Sequence, residues 1–129
     1  GLPARVTAVR TGRHEGFDRI VFEFAGTTVP GWHLEYVDKP VRDCAAGEVV
    51  DIRGDGWLLV QLAPAWSHDD AGTSATPKEQ LPALPNLLEI ERTCDFEAVT
   101  AYVAGVASPN KYRVFELAAP ARLVVDIQQ

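Results

Sequence analysis

A two-residue alternation of apolar and polar side chains runs through most of this chain and constrains its fold more than any other feature. In the segment DRIVFEF, residues 18–24, Ile20, Phe22 and Phe24 fall on one face of an extended backbone. This period is typical of a β-strand with one buried face. Comparable segments predict further strands at Ala4–Thr11, Gly31–Asp38, Trp57–Leu62, Leu87–Arg92, Phe96–Ser108, Tyr112–Leu117 and Arg122–Ile127. The sequence therefore predicts an all-β protein.

Two of these segments lead to specific expectations about burial. Residues 57–62 (WLLVQL) are nearly all apolar, which predicts a central strand covered on both faces. The segment LLEIER alternates, so Leu88 and Ile90 are expected to point inward and Glu89 and Glu91 outward.

One segment is ambiguous. Residues 96–108 (FEAVTAYVAGVAS) also fit the spacing of an amphipathic helix. Their valine, threonine and tyrosine residues are strand formers, and Gly105 is unfavourable inside a helix. We interpret the segment as a strand, with a helix as the alternative.

The strand at residues 18–24 is echoed near the C-terminal end by ARLVVDI. Arg19 and Glu23 of the first copy correspond to Arg122 and Asp126 of the second. If the copies lie antiparallel about a local two-fold axis, Arg19 faces Asp126 and Arg122 faces Glu23. Opposite charges across strands stabilise a sheet by roughly 0.2–1 kcal/mol per pair. The alternative is a chance match between two amphipathic strands.

A second echo accompanies the first. Residues 32–40 (WHLEYVDKP) and 112–120 (YRVFELAAP) both begin with an aromatic residue, alternate between apolar and polar residues, and end on proline.

The segment from Pro64 to Asn86 is rich in proline and small polar residues, which predicts one long central loop. Loops of this length are often functional or mobile. About eight or nine short strands joined by turns favour an antiparallel β-sandwich, expected as a single domain over residues 1–129.

The charge of the chain limits its partners. A net charge of −6 argues against nucleic acid, because such binding rests on cationic neutralisation of phosphates. It also argues against anionic membrane surfaces, and no apolar run is long enough for direct membrane insertion by this segment. The sequence contains no methionine, so Gly1 is expected to begin a processed chain or a fragment of a longer one.

The chain has two cysteines, Cys44 and Cys94. Two lone cysteines of an exported protein usually form a disulfide, which here would stabilise the fold by about 4 kcal/mol on the chain-entropy model. The alternative is a pair of unrelated buried thiols in a cytosolic protein.

The segment AWSHDDAG contains the most suggestive polar cluster, His68, Asp69 and Asp70. A histidine beside two carboxylates is able to bind a metal or transfer protons. The alternative is a turn capped by Asp69 or Asp70. A relay through Ser67, His68 and Asp69 is ruled out because adjacent side chains cannot form that chain of hydrogen bonds. We predict no catalytic residue, no metal site and no cofactor.

Exposed aromatic residues are candidates for stacking on carbohydrate. Trp66 enters the irregular loop rather than a strand, and Trp32 follows Pro30-Gly31, so both are candidate ligand-binding residues. The alternative for each is core packing. Trp57 begins an apolar strand and is expected to be buried.

Five segments together resemble a known family. They are RTGRHEGFDRIVFEF, VPGWHLEYVDKP, WLLVQLAPAWSHDDAG, LPNLLEIE and YRVFELAAPARLVVDI, which cover most of the chain. This pattern resembles the AMIN-like domain of actinobacterial exported proteins and lipoproteins, which is related to the AMIN domain of periplasmic amidases and secretins. The resemblance implies two small sheets with internal pseudo-two-fold symmetry.

The resemblance also implies a function. It points to a non-catalytic module for binding or targeting in the cell envelope, with peptidoglycan, the cell-wall glycan, or an envelope protein as partner. The expected location is extracellular or in the envelope, with a lipid anchor possible in a preceding segment. The alternative function is a loop-based hydrolase or metal site around His68, Asp69 and Asp70.

Overall fold

The alternating segments form two five-stranded β-sheets that pack face to face. The computed structural model describes residues 3–129 and contains no helix within that range, so the expectation about Gly1 falls outside it. The ten strands are β1 (Ala4–His14), β2 (Phe17–Phe24), β3 (Gly31–Val37), β4 (Gly56–Ala63), β5 (Ala65–Trp66), β6 (Glu79–Gln80), β7 (Leu87–Phe96), β8 (Val99–Val106), β9 (Tyr112–Leu117) and β10 (Arg122–Gln128). The predicted all-β sandwich is confirmed.

The strand order places both copies of the first echo at the centre of one sheet. Sheet 1 has the order β5-β1-β2-β10-β9, and sheet 2 has the order β3-β4-β8-β7-β6. Strands β2 and β10 pair antiparallel with Val21 opposite Val124, Arg19 opposite Asp126 and Glu23 opposite Arg122. This is the register that the sequence predicts. All strand pairs are antiparallel except the two-residue pair of β1 with β5.

Only one of the two predicted charge pairs forms. Arg19 donates two hydrogen bonds to Asp126, of 2.8 and 3.0 Å, and Arg113 of β9 donates a third of 2.9 Å. The second pair is a wrong prediction, since the Arg122 guanidinium donates instead to the backbone carbonyls that precede it. Glu23 accepts from Arg10 of β1, which lies on its other side.

Asp126 is only 4% exposed although it lies on the outer face of sheet 1. Burial by itself would raise its pKa, but the hydrogen bonds from Arg19 and Arg113 outweigh burial and hold the pKa of Asp126 below its ordinary value. The two arginines cover the carboxylate and lie over the rings of Phe17 and Phe115.

We predict that Asp126→Asn lowers the free energy of unfolding by about 2 kcal/mol, because it leaves the half-buried Arg19 without its ionic partner. The difference from wild type should be present above pH ~4, near the pKa of an unfolded aspartate, and vanish as the pH falls through the lowered pKa of folded Asp126. Urea denaturation of both proteins between pH 2 and 7 measures this difference in unfolding free energy. Arg122→Gln, which alters the residue equivalent to Arg19 in the repeat, should change stability by less than about 0.5 kcal/mol. Equal losses of unfolding free energy in the two variants would contradict the conclusion that only the Arg19–Asp126 pair forms.

The two segments of the second echo form strands β3 and β9, which lie in different sheets at equivalent edge positions. Strand β3 pairs with β4 at the edge of sheet 2, just as β9 pairs with β10 at the edge of sheet 1. Chain order β1-β2-β3-β4 thus corresponds to β7-β8-β9-β10 with the two sheets exchanged. The edge strands β3 and β9 also meet, because the hydroxyl of Tyr36 donates to the carbonyl of Asn110 at 2.6 Å and that of Tyr112 to Leu34 at 3.3 Å.

The core lies between the sheets, and a second apolar cluster lies outside sheet 2. Leu58, Val60 and Leu62 of β4 are fully buried in the main core. The opposite face of β4 packs against a cluster formed by Val41, Ile52 and Val103. Residues 38–55, which we call the covering segment, supply most of that cluster, so the prediction that this strand is covered on both faces is confirmed.

Glu89 and Glu91 point outward as predicted, but the leucine that faces the core is Leu87 and not the predicted Leu88. A bulge lies between Leu87 and Glu89, so Leu87 and Ile90 both face the main core and the two glutamates point away from it. They are nevertheless only 4% and 7% exposed, because the opposite face of β7 is also covered. The backbone N–H of Arg53 in the covering segment donates to Glu89 at 3.1 Å.

A disulfide joins the covering segment to the sheet. Cys44 and Cys94 are bonded, as predicted, and the backbone N–H of Cys44 donates to Thr93 at 3.0 Å. The bridge spans a sequence separation of 50 residues, which corresponds to about 4 kcal/mol of stabilisation on the chain-entropy model.

Two predicted boundaries are wrong. The segment from Phe96 to Ser108 is not one strand, because a two-residue turn at Glu97 and Ala98 separates β7 from β8. Both turn residues have positive φ angles, 51° and 61°, as a type I′ hairpin requires, yet neither is the usual asparagine or glycine. The predicted loop from Pro64 to Asn86 contains the short strands β5 and β6, which raises the strand number to ten.

Candidate ligand-binding groove

A groove of about 360 Å³ opens at the end of the sandwich where β1 begins, β2 and β4 end, and β3 begins. Its walls are backbone and small side chains, contributed by Pro3, Ala4, Pro64 and residues 25–31. The side chains of Thr27 and Thr28 are exposed there and offer hydroxyl groups. The groove has no buried ionisable residue in its lining, so its chemistry is that of an apolar surface with a few hydrogen-bonding groups.

The two candidate tryptophans lie close in the chain to residues that line this groove, but neither is itself part of the lining. Trp32 follows Gly31, which lines one wall, and Trp66 lies two residues after Pro64, which lines another. Trp32 is 41% exposed and Trp66 is 38% exposed, whereas Trp57 is half-buried against the covering segment. The indole N–H of Trp32 donates to Glu116 of β9 at 2.9 Å, which restrains the ring.

A second, more open depression of about 350 Å³ adjoins the groove. The two are neighbours because β1 and β5 pair as Ala4 with Ala65 and Arg5 with Trp66. Ala4 lines the groove, whereas Arg5 and Trp66 line the depression. The second depression contains Arg5, Trp66, His68, Asp69, Asp70 and Ala71. Its composition combines an aromatic ring, a cation and two carboxylates.

The imidazole of His68 stacks on Trp66, with ring centroids 5.6 Å apart and planes within 9°. The orientation of His68 is set by Asp95 at the end of β7, whose Oδ2 lies 2.6 Å from its Nδ1. The hydroxyl of Ser67 donates to the same carboxylate at 2.7 Å, and the backbone N–H of Ser67 donates at 3.1 Å. Asp95 thus holds the loop that carries Trp66 and His68 against the end of the sheet.

Electrostatics agree with this anchoring role. Burial would raise the pKa of Asp95, but the hydrogen bonds from Ser67 and His68 outweigh it and lower that pKa below its ordinary value. The Ser67 side chain is buried, and its hydroxyl is bonded to Asp95 rather than to His68. This is not the arrangement of an activated serine nucleophile, which requires a serine–histidine hydrogen bond.

The two neighbouring aspartates have different positions. Oδ1 of Asp69 accepts the backbone N–H groups of Ala71 and Thr73, both at 2.9 Å, which lower its pKa and close a turn. Asp70 is exposed. The structure therefore uses Asp69 as the turn cap that the sequence offered as an alternative. Across residues 3–129, the one grouping of three potential metal ligands lies elsewhere and excludes His68, Asp69 and Asp70.

The comparison with known families decides the identity of this fold. Residues 4–129 match the family model described as AMIN-like domain, which is nearly the whole chain. The chain belongs to the AMIN-like domain family. Comparison with curated proteins and with solved structures finds no match.

Membership has general consequences for this AMIN-like domain. The family indicates a non-catalytic binding module of the cell envelope in general terms, and the Cys44–Cys94 disulfide is consistent with export. In the part of the chain that the structure describes, no helix is both long and apolar enough to cross a bilayer.

Sequence reasoning missed two residues of this AMIN-like site. Asp95 is separated from His68 by 27 residues, and only the hairpin between β7 and β8 brings its carboxylate beneath the loop. Arg5 belongs to the first strand and reaches the depression because β5 pairs with β1. A charged residue directly after Cys94, at the predicted end of a strand, was the only available signal for Asp95.

We predict that Asp95→Ala loosens the Trp66 loop and lowers the free energy of unfolding by about 2 kcal/mol, because the variant leaves Ser67 and His68 without their common acceptor. Chemical denaturation measures the stability, and acrylamide quenching of tryptophan fluorescence measures access to Trp66. Asp70→Ala, which removes an exposed carboxylate from the same depression, should leave both unchanged. Unaltered quenching in Asp95→Ala would show that Asp95 does not position the loop.

Proposed function

We propose that this single domain is an exported, non-catalytic envelope module that binds the glycan strands of peptidoglycan in the groove near Trp32 and Trp66. The observation that carries the proposal is the exposure of two tryptophans, Trp32 and Trp66, whose near neighbours in the chain, Gly31 and Pro64, line one groove. Pyranose rings present flat C–H faces that pack on aromatic rings, and indole rings provide a large apolar area for this. Family membership supports an envelope role but does not identify the ligand.

The polar groups around the groove suit the same ligand. The hydroxyls of Thr27 and Thr28 and the backbone groups of the groove can exchange hydrogen bonds with sugar hydroxyls and acetamido groups. Arg5 takes part in none of the ion pairs between residues 3 and 129, so its guanidinium is available for the carboxylates of a peptide stem. We propose that His68 supports the stacking ring of Trp66, and that Asp69 and Asp70 form the rim of the adjoining depression.

The overall charge limits the range of wall polymers. With a net charge of −6, the domain is repelled by polyanions such as teichoic acids at low ionic strength. Recognition that depends on stacking and neutral hydrogen bonds is not opposed in this way. We therefore expect the fraction of the protein that binds to purified peptidoglycan to change little with salt concentration.

The test is co-sedimentation with purified, protein-free peptidoglycan at low and moderate salt. We expect wild type to sediment and the double variant Trp32→Ala/Trp66→Ala to lose at least tenfold in affinity, because both stacking surfaces are removed. Val49→Ala is the matched control, since Val49 is 52% exposed on the covering segment and does not line the groove. Wild-type protein that stays in the supernatant, or a double variant that sediments like Val49→Ala, would overturn the proposal.

A second candidate partner is an envelope protein that adds a strand to the sandwich. Strands β3 and β9 are edge strands of six or seven residues, each paired with one strand only, and they lie at the same side of the sandwich, where Tyr36 and Tyr112 bridge them. Such edges offer backbone groups for strand addition, and Leu117 of β9 is 39% exposed beside them.

Leu117→Lys separates the two candidates. A charged edge residue disfavours an added strand, so this variant should lose binding to envelope-protein extracts, assayed by pull-down, while it retains sedimentation with peptidoglycan. If Leu117→Lys binds those extracts as wild type does, the edge-strand candidate is wrong.

A further inference from the structure

Three glutamates converge beside the covering segment, on the side of sheet 2 that faces away from the core. Glu89 and Glu91 belong to β7, and Glu79 belongs to β6, where it lies directly opposite Glu91 in the antiparallel register. One carboxylate oxygen from each residue lies within 4.8 Å of those of the other two. We call these three residues the carboxylate cluster.

The cluster has an unsatisfied polar atom at its centre. Glu91 is only 7% exposed, and its Oε2 has no hydrogen-bond partner. A buried carboxylate oxygen without a partner is costly, because it has lost water and gained nothing in exchange. Among residues 3–129, this is the one buried side-chain oxygen or nitrogen left in that condition.

No nearby cation forms an ion pair with the cluster, although Lys78 lies close enough to attract Glu91. None of the ion pairs between described residues includes any of its three glutamates. Lys39, which lines the adjoining groove, has its ammonium 4.4 Å from the ring centroid of Trp57. Glu89 accepts the backbone N–H of Arg53, which is a dipole and not a full charge. Like charges directly opposite in a sheet are destabilising, so the short strand β6 is held in this register against repulsion.

We propose that Glu79, Glu89 and Glu91 form a binding site for a divalent cation, with Ca²⁺ as the ion that fits best. Carboxylate oxygens are the ligands that hard cations prefer, and Ca²⁺ binds them at about 2.3–2.6 Å. Two oxygens on one Ca²⁺ ion can therefore be up to about 5 Å apart, which includes the spacing of this cluster. Mg²⁺ binds at about 2.0–2.1 Å, requires a near-ideal octahedron and gives up its own waters less readily.

The surroundings allow an ion to enter and complete its coordination. A groove of about 370 Å³ leads to Glu79 and Glu89, and Asp51 also lines it. Glu79 is exposed, so solvent reaches one side of the cluster while Glu91 closes the other.

A bound cation would tie β6 to β7. Strand β6 forms two residue pairs with β7, and the Gln80 amide donates to the carbonyl of Val9 in sheet 1. Just before β6, the carbonyl of Lys78 accepts the backbone N–H of Arg92. The ion would thus fasten the second half of the long central segment to the sheet. This role does not depend on glycan binding, because the cluster is separate from the residues that line the tryptophan groove.

The test measures thermal unfolding and calorimetric binding of the EDTA-treated protein with CaCl₂ or MgCl₂ at pH 7.5 and constant ionic strength. We expect Ca²⁺ to raise the unfolding temperature, with half-saturation at roughly 0.1–1 mM as in extracellular modules, and Mg²⁺ to act at least tenfold more weakly. Glu79→Gln should weaken Ca²⁺ binding at least tenfold. It alters an exposed residue, so it should fold normally.

Two further variants make the result decisive. Glu91→Gln should abolish the Ca²⁺ response and, without Ca²⁺, melt at or above the wild-type temperature, because it removes the buried repulsion. Glu15→Gln, an exposed glutamate in the β1–β2 turn, makes the same change in net charge and should respond to Ca²⁺ as wild type does. The proposal is overturned if 10 mM Ca²⁺ leaves wild type unchanged, or if Glu79→Gln and Glu15→Gln respond alike.

Discussion

The antiparallel pairing of β2 with β10 is the contact on which the rest of this structure depends. It joins the first part of the chain to its last strand, at the centre of sheet 1. Each central strand carries its own hairpin partner to the outside, β1 on one side and β9 on the other. The Arg19–Asp126–Arg113 cluster lies across this seam, and its buried carboxylate favours one register over a shift by a single residue.

The sandwich around that seam combines two internal relations. Within sheet 1, the hairpin of β1 and β2 corresponds to the hairpin of β9 and β10, and the first sequence echo, between β2 and β10, reflects this relation. Between the sheets, the first four strands correspond in chain order to the last four, and the second echo, between β3 and β9, reflects that relation. The short strands β5 and β6 pair with the outer sides of β1 and β7 respectively. Equivalent positions nevertheless differ in detail, as Arg122 shows, because their neighbours on the adjacent strand differ.

The two proposed sites lie where irregular segments pack against the strands of this frame. Turns that contain Pro30 and Pro64 help to form the groove near Trp32 and Trp66 at one end of the sandwich. The covering segment, held by the disulfide, buries the outer face of β7 and with it two glutamates that would otherwise be hydrated. In both places strands supply the exposed rings or the carboxylates, and an irregular segment beside those strands forms the rest of the site.

The sequence by itself determined the all-β class, the β2–β10 register and the cysteine pair. Those features depend on period-two alternation, on complementary charges in a repeated motif, and on the scarcity of cysteine. Only the tertiary structure decided which faces were covered: Glu89 and Glu91 are buried by a segment some 40 residues away, and Asp95 reaches His68 across 27 residues. It also decided the turn at Glu97 and Ala98, where packing of the flanking strands imposes positive φ angles that these residue types do not prefer. The alternation of residue types along a strand predicts to which face each side chain points. Whether that side chain is buried, and which residue it bonds to, depends on the segments that the rest of the chain packs against that face.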